Sequence, residues 1–138
     1  MEHAADGIAS YIRANFAKGS DLLIVTGSGN NGADGITLAR LLYKDYNVGL
    51  FLAKEAKSPM AKLQLQRAEK IGIKPLKEIL KKCDVVVEAI VGTGFKGSFN
   101  DELSDLILQL NDLKAYKIAC DMPSPMFKAD RTFTMGAL

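Results

Sequence analysis

Asp21-Leu-Leu-Ile-Val-Thr26 is an apolar, partly β-branched run that passes directly into Gly27-Ser-Gly-Asn-Asn-Gly-Ala-Asp-Gly35. Ile36-Thr-Leu-Ala-Arg-Leu-Leu42 follows with apolar residues at helical spacing. The first composition belongs to a strand buried on both faces, and the period of the third to a helix packed along one side. A strand, a tight turn and a helix N-terminus in that order confine the chain to the α/β folds.

Gly27, Gly29 and Gly32 stand in a G-x-G-x-x-G arrangement, whose bare backbone lets a phosphate approach helix N–H groups. Alone that is a weak signal. Asn30, Asn31 and Asp34 are the sharper feature, because a dinucleotide turn needs no amide pair followed by an acid, and an acid facing phosphates would repel them. Plain turn chemistry is the alternative: Asn-Gly favours left-handed backbone angles, and Asp34 would then cap the helix.

The alternation continues along the chain. Glu2 to Arg13 reads as a helix ahead of the first strand. Leu38 to Tyr46 should complete the helix after the glycine turn, and Val48 to Ala53 reads as a second buried strand. Ser58 and Pro59 open another helix, as cap and first-turn residue. Met60, Leu63, Leu65, Ala68 and Ile71 are expected to be its core face. Ile73 to Leu76 reads as a short edge strand, since Pro75 would interrupt a central one, and Lys77 to Lys82 as a brief helix. Asp84 to Glu88 is a β-branched strand, residues 101 to 112 carry Leu103, Leu106, Ile107 and Leu110 at helical spacing, Lys117 to Cys120 is a strand, and Arg131 to Met135 a last extended run. The pattern predicts an α/β, Rossmann-like three-layer sandwich, a mostly parallel sheet with helices on both faces, as one domain over residues 1–138.

An apolar content of 48% in 138 residues suffices for such a core. The net charge of +2 comes from interspersed acids and bases, so neither nucleic acid nor a membrane surface is an expected partner. No apolar run has the length of a membrane span and residues 1 to 17 lack a secretory layout, so a cytoplasmic location is expected. Cys83 and Cys120 show no C-x-x-C spacing and read as reduced thiols; the sole histidine, His3, has no partner for zinc.

The polar clusters Asn30-Asn31-Asp34, Glu88 with Gly92 to Gly97, and Asp121 with Ser124 each follow a strand, so they should share one edge of the sheet. If their strands are neighbours, the clusters meet in one pocket of hard oxygen donors, which suits an alkali or alkaline-earth cation better than zinc or copper. The few formal charges lean toward a monovalent ion. Gly92-Thr93-Gly94 offers N–H groups and a hydroxyl to phosphate, with Lys96 either a counter-charge or a solvated loop residue. Asp121 is the strongest acid/base candidate, because it ends a buried strand where desolvation favours the neutral acid; holding the Pro123 turn is its alternative role.

Gly29-Asn-Asn-Gly-Ala-Asp-Gly35, Val86-Val-Glu-Ala-Ile-Val-Gly-Thr-Gly-Phe95 and Asp121-Met-Pro-Ser124 together closely resemble the amino-terminal YjeF-type domain, the NAD(P)HX epimerases. The similarity runs over nearly the whole chain. It implies an isomerase of cofactor repair that interconverts the R and S epimers of hydrated NADH and NADPH (NADHX and NADPHX). Carried over, the substrate-binding residues are Asn30, Asn31, Gly32, Ala33 and Asp34, then Gly92, Thr93, Gly94, Phe95, Lys96, Gly97 and Ser98, and Asp121, which is also the expected catalytic residue. Asn31, Glu88 and Ser124 are implied as ligands of a potassium ion (K+). The resemblance also implies a homodimer, for which apolar residues of the first helix are a candidate surface, and a dehydratase acting with the domain or fused to it.

The chain departs from the family at three places. Glu88 stands where the family usually has Asp, Ser124 is followed at once by Pro125, and the chain stops at Leu138 where relatives continue, as expected of a fragment of a longer bifunctional protein. A non-catalytic scaffold module is the rival reading, against which Asp34, Asp121 and Ser124 argue. A generic NAD-dependent dehydrogenase would want an acid at the end of the second strand, where this chain has Ala53-Lys54, with Glu55 only just beyond.

Overall fold

The computed structural model describes residues 2–91, 101–121 and 123–133. Five strands, β1 (Asp21–Thr26), β2 (Asn47–Leu52), β3 (Val85–Ala89), β4 (Tyr116–Cys120) and β5 (Arg131–Phe133), form one sheet in the order β2-β1-β3-β4-β5. Every neighbouring pair is parallel, so the sheet is parallel throughout. Four helices join in, α1 (Glu2–Asn15), α2 (Asn30–Leu42), α3 (Pro59–Lys70) and α4 (Asp101–Asp112).

The pleat sends alternate strand residues to opposite faces, and two cores result. On one face Ile8 and Ile12 of α1 and Ile36, Leu38 and Leu42 of α2 pack on Leu22, Ile24, Val85, Val87, Ile118 and Cys120. On the other, Leu103, Ile107 and Leu110 of α4 cover Leu23, Val25, Val86 and Ala119. Each of the fully buried aliphatic side chains contributes about 1.5–3 kcal/mol. The apolar residues of α1 are consumed here: Ala5, Ile8 and Ile12 are fully buried within this chain, so they offer no surface to a second copy.

Several elements differ from the sequence expectation. α2 starts at Asn30, so the Asn-Asn-x-x-Asp motif is helical rather than part of the turn. Ser58 caps α3 as expected, its Oγ accepting from Ala61 N at 3.1 Å. The buried positions of α3 are Ala61, Gln64 and Ala68, because it packs on α2 instead of the sheet and needs small residues; Leu63 and Ile71 are exposed. Residues 73–82 form neither the edge strand nor the helix. Pro75 lacks an N–H, only Leu76 bonds to β2, through its N–H to the Leu50 carbonyl at 2.7 Å, and six residues are too few to sustain a helix alone. The segment instead lays Leu76, Ile79 and Leu80 into the α4-side core. Both cysteines are free thiols, and burial pushes Cys83 up to about 11. Among the described residues no helix is long and apolar enough to cross a membrane. The His3 side chain, Gly92 to Ser98 and the end of the last extended run lie outside the described residues.

Candidate active site

β1, β3 and β4 are neighbours, so the segments after Thr26, Ala89 and Cys120 leave the same edge of the sheet side by side. Strand order reverses between β1 and β3. β1 connects through α2 toward β2, and β3 through α4 toward β4, so the two exits diverge and leave a crevice between them.

The glycines build this crevice by close packing. A Cβ on Gly32 would stand 2.1 Å from the Gly27 carbonyl oxygen, and one on Gly27 would stand 2.1 Å from that of Ile90. They let the first turn of α2 press on the ends of β1 and β3. Gly29 alone of the G-x-G-x-x-G set faces open space, and it is the N-cap of α2 with no side-chain cap. Asp34 therefore does not cap the helix; it lies one turn inside it.

That position buries Asp34 completely, and neither carboxyl oxygen has a hydrogen-bond partner. Burial pushes it up to about 7, and the charge of Asp121 adds to the rise. Asn31 is 6% exposed: its Nδ2 donates to the Val91 carbonyl at 2.5 Å, which ties α2 to the exit of β3, while its Oδ1 is unpaired. Asn30 is exposed at the first position of α2. Gly32 and Ala33 are packing residues, Ala33 lying in a small cluster with Ala56 and Ala61 of the α3 side.

From β3, Glu88 is fully buried. Its Oε2 accepts from Ile90 N and its Oε1 from Ser124 N, both at 2.7 Å, so the carboxylate joins the exits of β3 and β4. Burial pushes Glu88 upward, and the backbone N–H groups of Ser124 and Ile90 oppose the rise. Ser124 is itself buried; its hydroxyl lies near enough to Glu88 to favour the charged carboxylate, yet makes no hydrogen bond of normal geometry.

Asp121 is 4% exposed and takes a left-handed backbone angle, φ 76°, at the end of β4, with its N–H donating to the Phe133 carbonyl at 2.5 Å. A non-glycine residue held there marks a place where the surrounding structure overrides local preference, as at many functional sites. Cys120 registers the cluster: burial pushes its thiol far up, and the charges of Asp34, Asp121 and Glu88 push it further. The three acids thus lie within electrostatic reach of Cys120 at the carboxyl edge. Thr26 completes the set, fully buried with an unpaired Oγ1. Sequence reasoning passed over it, although a threonine ending a buried strand just before a glycine turn was the available signal.

A parallel, doubly wound sheet with buried, unpaired oxygens at its switch point is the arrangement in which α/β folds bind their ligands. Comparison with known proteins narrows the class. The family model described as YjeF-related protein N-terminus matches residues 1–138, and the chain belongs to that family. The bifunctional NAD(P)H-hydrate repair enzyme Nnr of Helicobacter pylori is 37% identical, over all of this chain and 33% of its own length. The NAD(P)H-hydrate epimerase of Rhodopirellula baltica is 32% identical, over 99% of this chain and 64% of its own. The crystal structure of yeast ynu0, YNL200c, superposes with a TM-score of 0.74 at 19% identity, over 98% of this chain and 63% of that one, a likeness of fold. The chain thus spans about a third of the bifunctional relative and less than two thirds of the epimerase.

Proposed function

We propose that the protein is an NAD(P)H-hydrate epimerase, interconverting the R and S epimers of hydrated NADH and NADPH. Family membership and the names of relatives support the reading. The observation that carries it is the set of buried oxygens without partners, on Thr26, Asn31, Asp34 and Ser124, beside Glu88 and Asp121. An unpaired buried polar group costs about 1–3 kcal/mol, so a cluster of them is best explained by a ligand that satisfies it.

The hydrated nicotinamide carries its hydroxyl on the ring carbon beside the nitrogen. In the proposed reaction Asp121 donates a proton to that hydroxyl, the carbon–oxygen bond breaks with its electron pair leaving as water, and the nitrogen lone pair stabilises the cation. Water then adds to either face and Asp121 takes the proton back. Asn30, Asn31, Asp34 and the segment from Gly92 to Ser98 bind the substrate in this reading.

The donors fit a potassium ion. Asn31 Oδ1 and Ser124 Oγ are buried and unpaired, and the Glu88 carboxylate, which accepts from the Ser124 and Ile90 N–H groups, lies beside Ser124. Bound there, the ion would supply a positive charge beside the substrate's pyrophosphate. A cytoplasmic location, a homodimer using surfaces other than the apolar face of α1, and a fused or separate dehydratase belong to the same proposal.

The test is to incubate the protein with one purified epimer of hydrated NADH, with and without potassium, and follow the R to S ratio. Potassium-dependent acceleration over the spontaneous rate is expected. A folded protein that gives no acceleration would contradict the reading and favour a scaffold module.

A further inference from the structure

A groove of about 940 Å³ lies on the α4 face of the sheet, apart from the acid cluster. Phe51, Leu103 and Leu106 give it apolar walls, and Lys54 and Lys77 stand in its lining, with Glu78, Glu102 and Asp112 as the acids. Its size is within the range of small-molecule pockets. One end reaches Ala53-Lys54, just past β2, and the first turn of α4, so it opens toward the carboxyl edge where the candidate site lies.

Backbone bonds hold that end against the glycine turn. Ala53 N and Lys54 N donate to the Thr26 carbonyl at 2.8 and 3.4 Å, and Lys57 N and Ser58 N donate to that of Ser28 at 2.9 and 3.0 Å. Lys54 is exposed and forms no ion pair with any described residue. In doubly wound dinucleotide sites the residue at the end of the second strand meets the adenosine ribose: an acid there accepts from a free 2′-hydroxyl, and a cation accommodates a 2′-phosphate. Here that position holds Lys54, which lines the groove beside Phe51, while the acid that follows it, Glu55, is not part of the lining.

We propose that this groove is the adenosine subsite of the hydrated dinucleotide, with Lys54 pairing with a 2′-phosphate and Lys77 assisting, so that hydrated NADPH is preferred over hydrated NADH. The inference rests on the epimerase reading for its physiological ligand. Adenine lies between Phe51 and the start of α4, and the chain of phosphates runs back past Gly29 toward the acids.

Calorimetric titration with adenosine 2′,5′-bisphosphate and with 5′-AMP tests the subsite without any nicotinamide. The bisphosphate should bind about tenfold tighter, and Lys54→Glu, a change at an exposed side chain, should bring the two affinities within about twofold. Equal affinities in the wild type, or a preference that survives Lys54→Glu, would overturn the proposal. Epimer assays with both hydrated cofactors separate the two claims: no turnover on either, with the bisphosphate preference intact, removes the epimerase reading and leaves the subsite standing. Turnover at equal KM on both, with no preference, does the reverse.

Discussion

The two edges of the sheet treat their polar side chains differently. At the amino edge they are paired. Asp21 Oδ1 accepts from Asn47 Nδ2 at 3.0 Å, Asp84 Oδ2 from Asp21 N at 2.8 Å, and Asp130 Oδ2 from Lys117 N at 2.8 Å. At the carboxyl edge Thr26, Asn31, Asp34 and Ser124 are buried with oxygens left over. The amino edge spends its polar groups on closing the fold, whereas the carboxyl edge keeps them unpaired in protein at a cost in stability. Such a cost is characteristic of sites whose partner is not part of the chain.

If that contrast is right, substitutions at the carboxyl edge should divide activity from stability, and those at the amino edge should not. The largest effect is expected for Asp121→Asn, which would remove the proposed proton donor while preserving shape. Turnover should fall by about 10²–10⁴-fold with cofactor binding largely intact, read from single-epimer kinetics and titration. Retained turnover would move the proton transfer to another group.

Gly32→Ala comes next, because its Cβ would meet the Gly27 backbone, which has no flexible end to move aside. A loss of about 1–3 kcal/mol in denaturant unfolding is expected, together with lost turnover as α2 lifts from the strand ends. Glu88→Gln should follow. The amide leaves one of the Ile90 and Ser124 N–H groups facing another donor, costing about 1–3 kcal/mol, and the potassium dependence of turnover should weaken. The smallest effect belongs to the other edge: Asp84→Ala removes one acceptor from Asp21 N, costing about 1 kcal/mol with kcat and KM unchanged. A change in kcat there would break the comparison.

Much of this layout was legible in the sequence, for reasons that particular residues make plain. Val85-Val-Val is strand-like from composition, and α4 follows from Leu103, Ile107 and Leu110, because burial on one side writes itself as periodicity. That Asn31, Asp34, Glu88, Asp121 and Ser124 share one edge followed once β1, β3 and β4 were neighbours, while Gly92 to Gly97 lie outside the described residues. Other features depend on tertiary partners that no local pattern encodes. Residues 73–82 take their path from Pro75 and from burying Leu76, Ile79 and Leu80 under the sheet. Leu63 and Ile71 look like core but face outward because α3 packs on α2. The glycine turn resembled a phosphate loop, yet Gly27 and Gly32 serve mainly to let backbones touch. The isolation of Asp34 was also invisible, since it depends on which groups fail to reach it.

That isolation gives the most direct test. Asp34 is pushed from an ordinary carboxyl value up to about 7 by burial, so the folded state binds its proton more tightly than the unfolded state does. Its stabilising contribution is complete below about pH 4 and is lost as pH rises through about 7, with a slope of up to about 1.4 kcal/mol per pH unit. Glu88 contributes with the same sign, so part of the slope remains when Asp34 is replaced. The measurement is urea unfolding of wild type and Asp34→Asn from pH 4 to 8 without potassium, with epimer turnover assayed on the same preparations. A variant about 1–3 kcal/mol more stable above pH 7, with a flatter pH profile and little turnover, is the predicted result. A variant less stable at every pH with an unchanged slope, or one that keeps full turnover, would contradict the claim that the carboxyl edge holds its oxygens unpaired for a ligand.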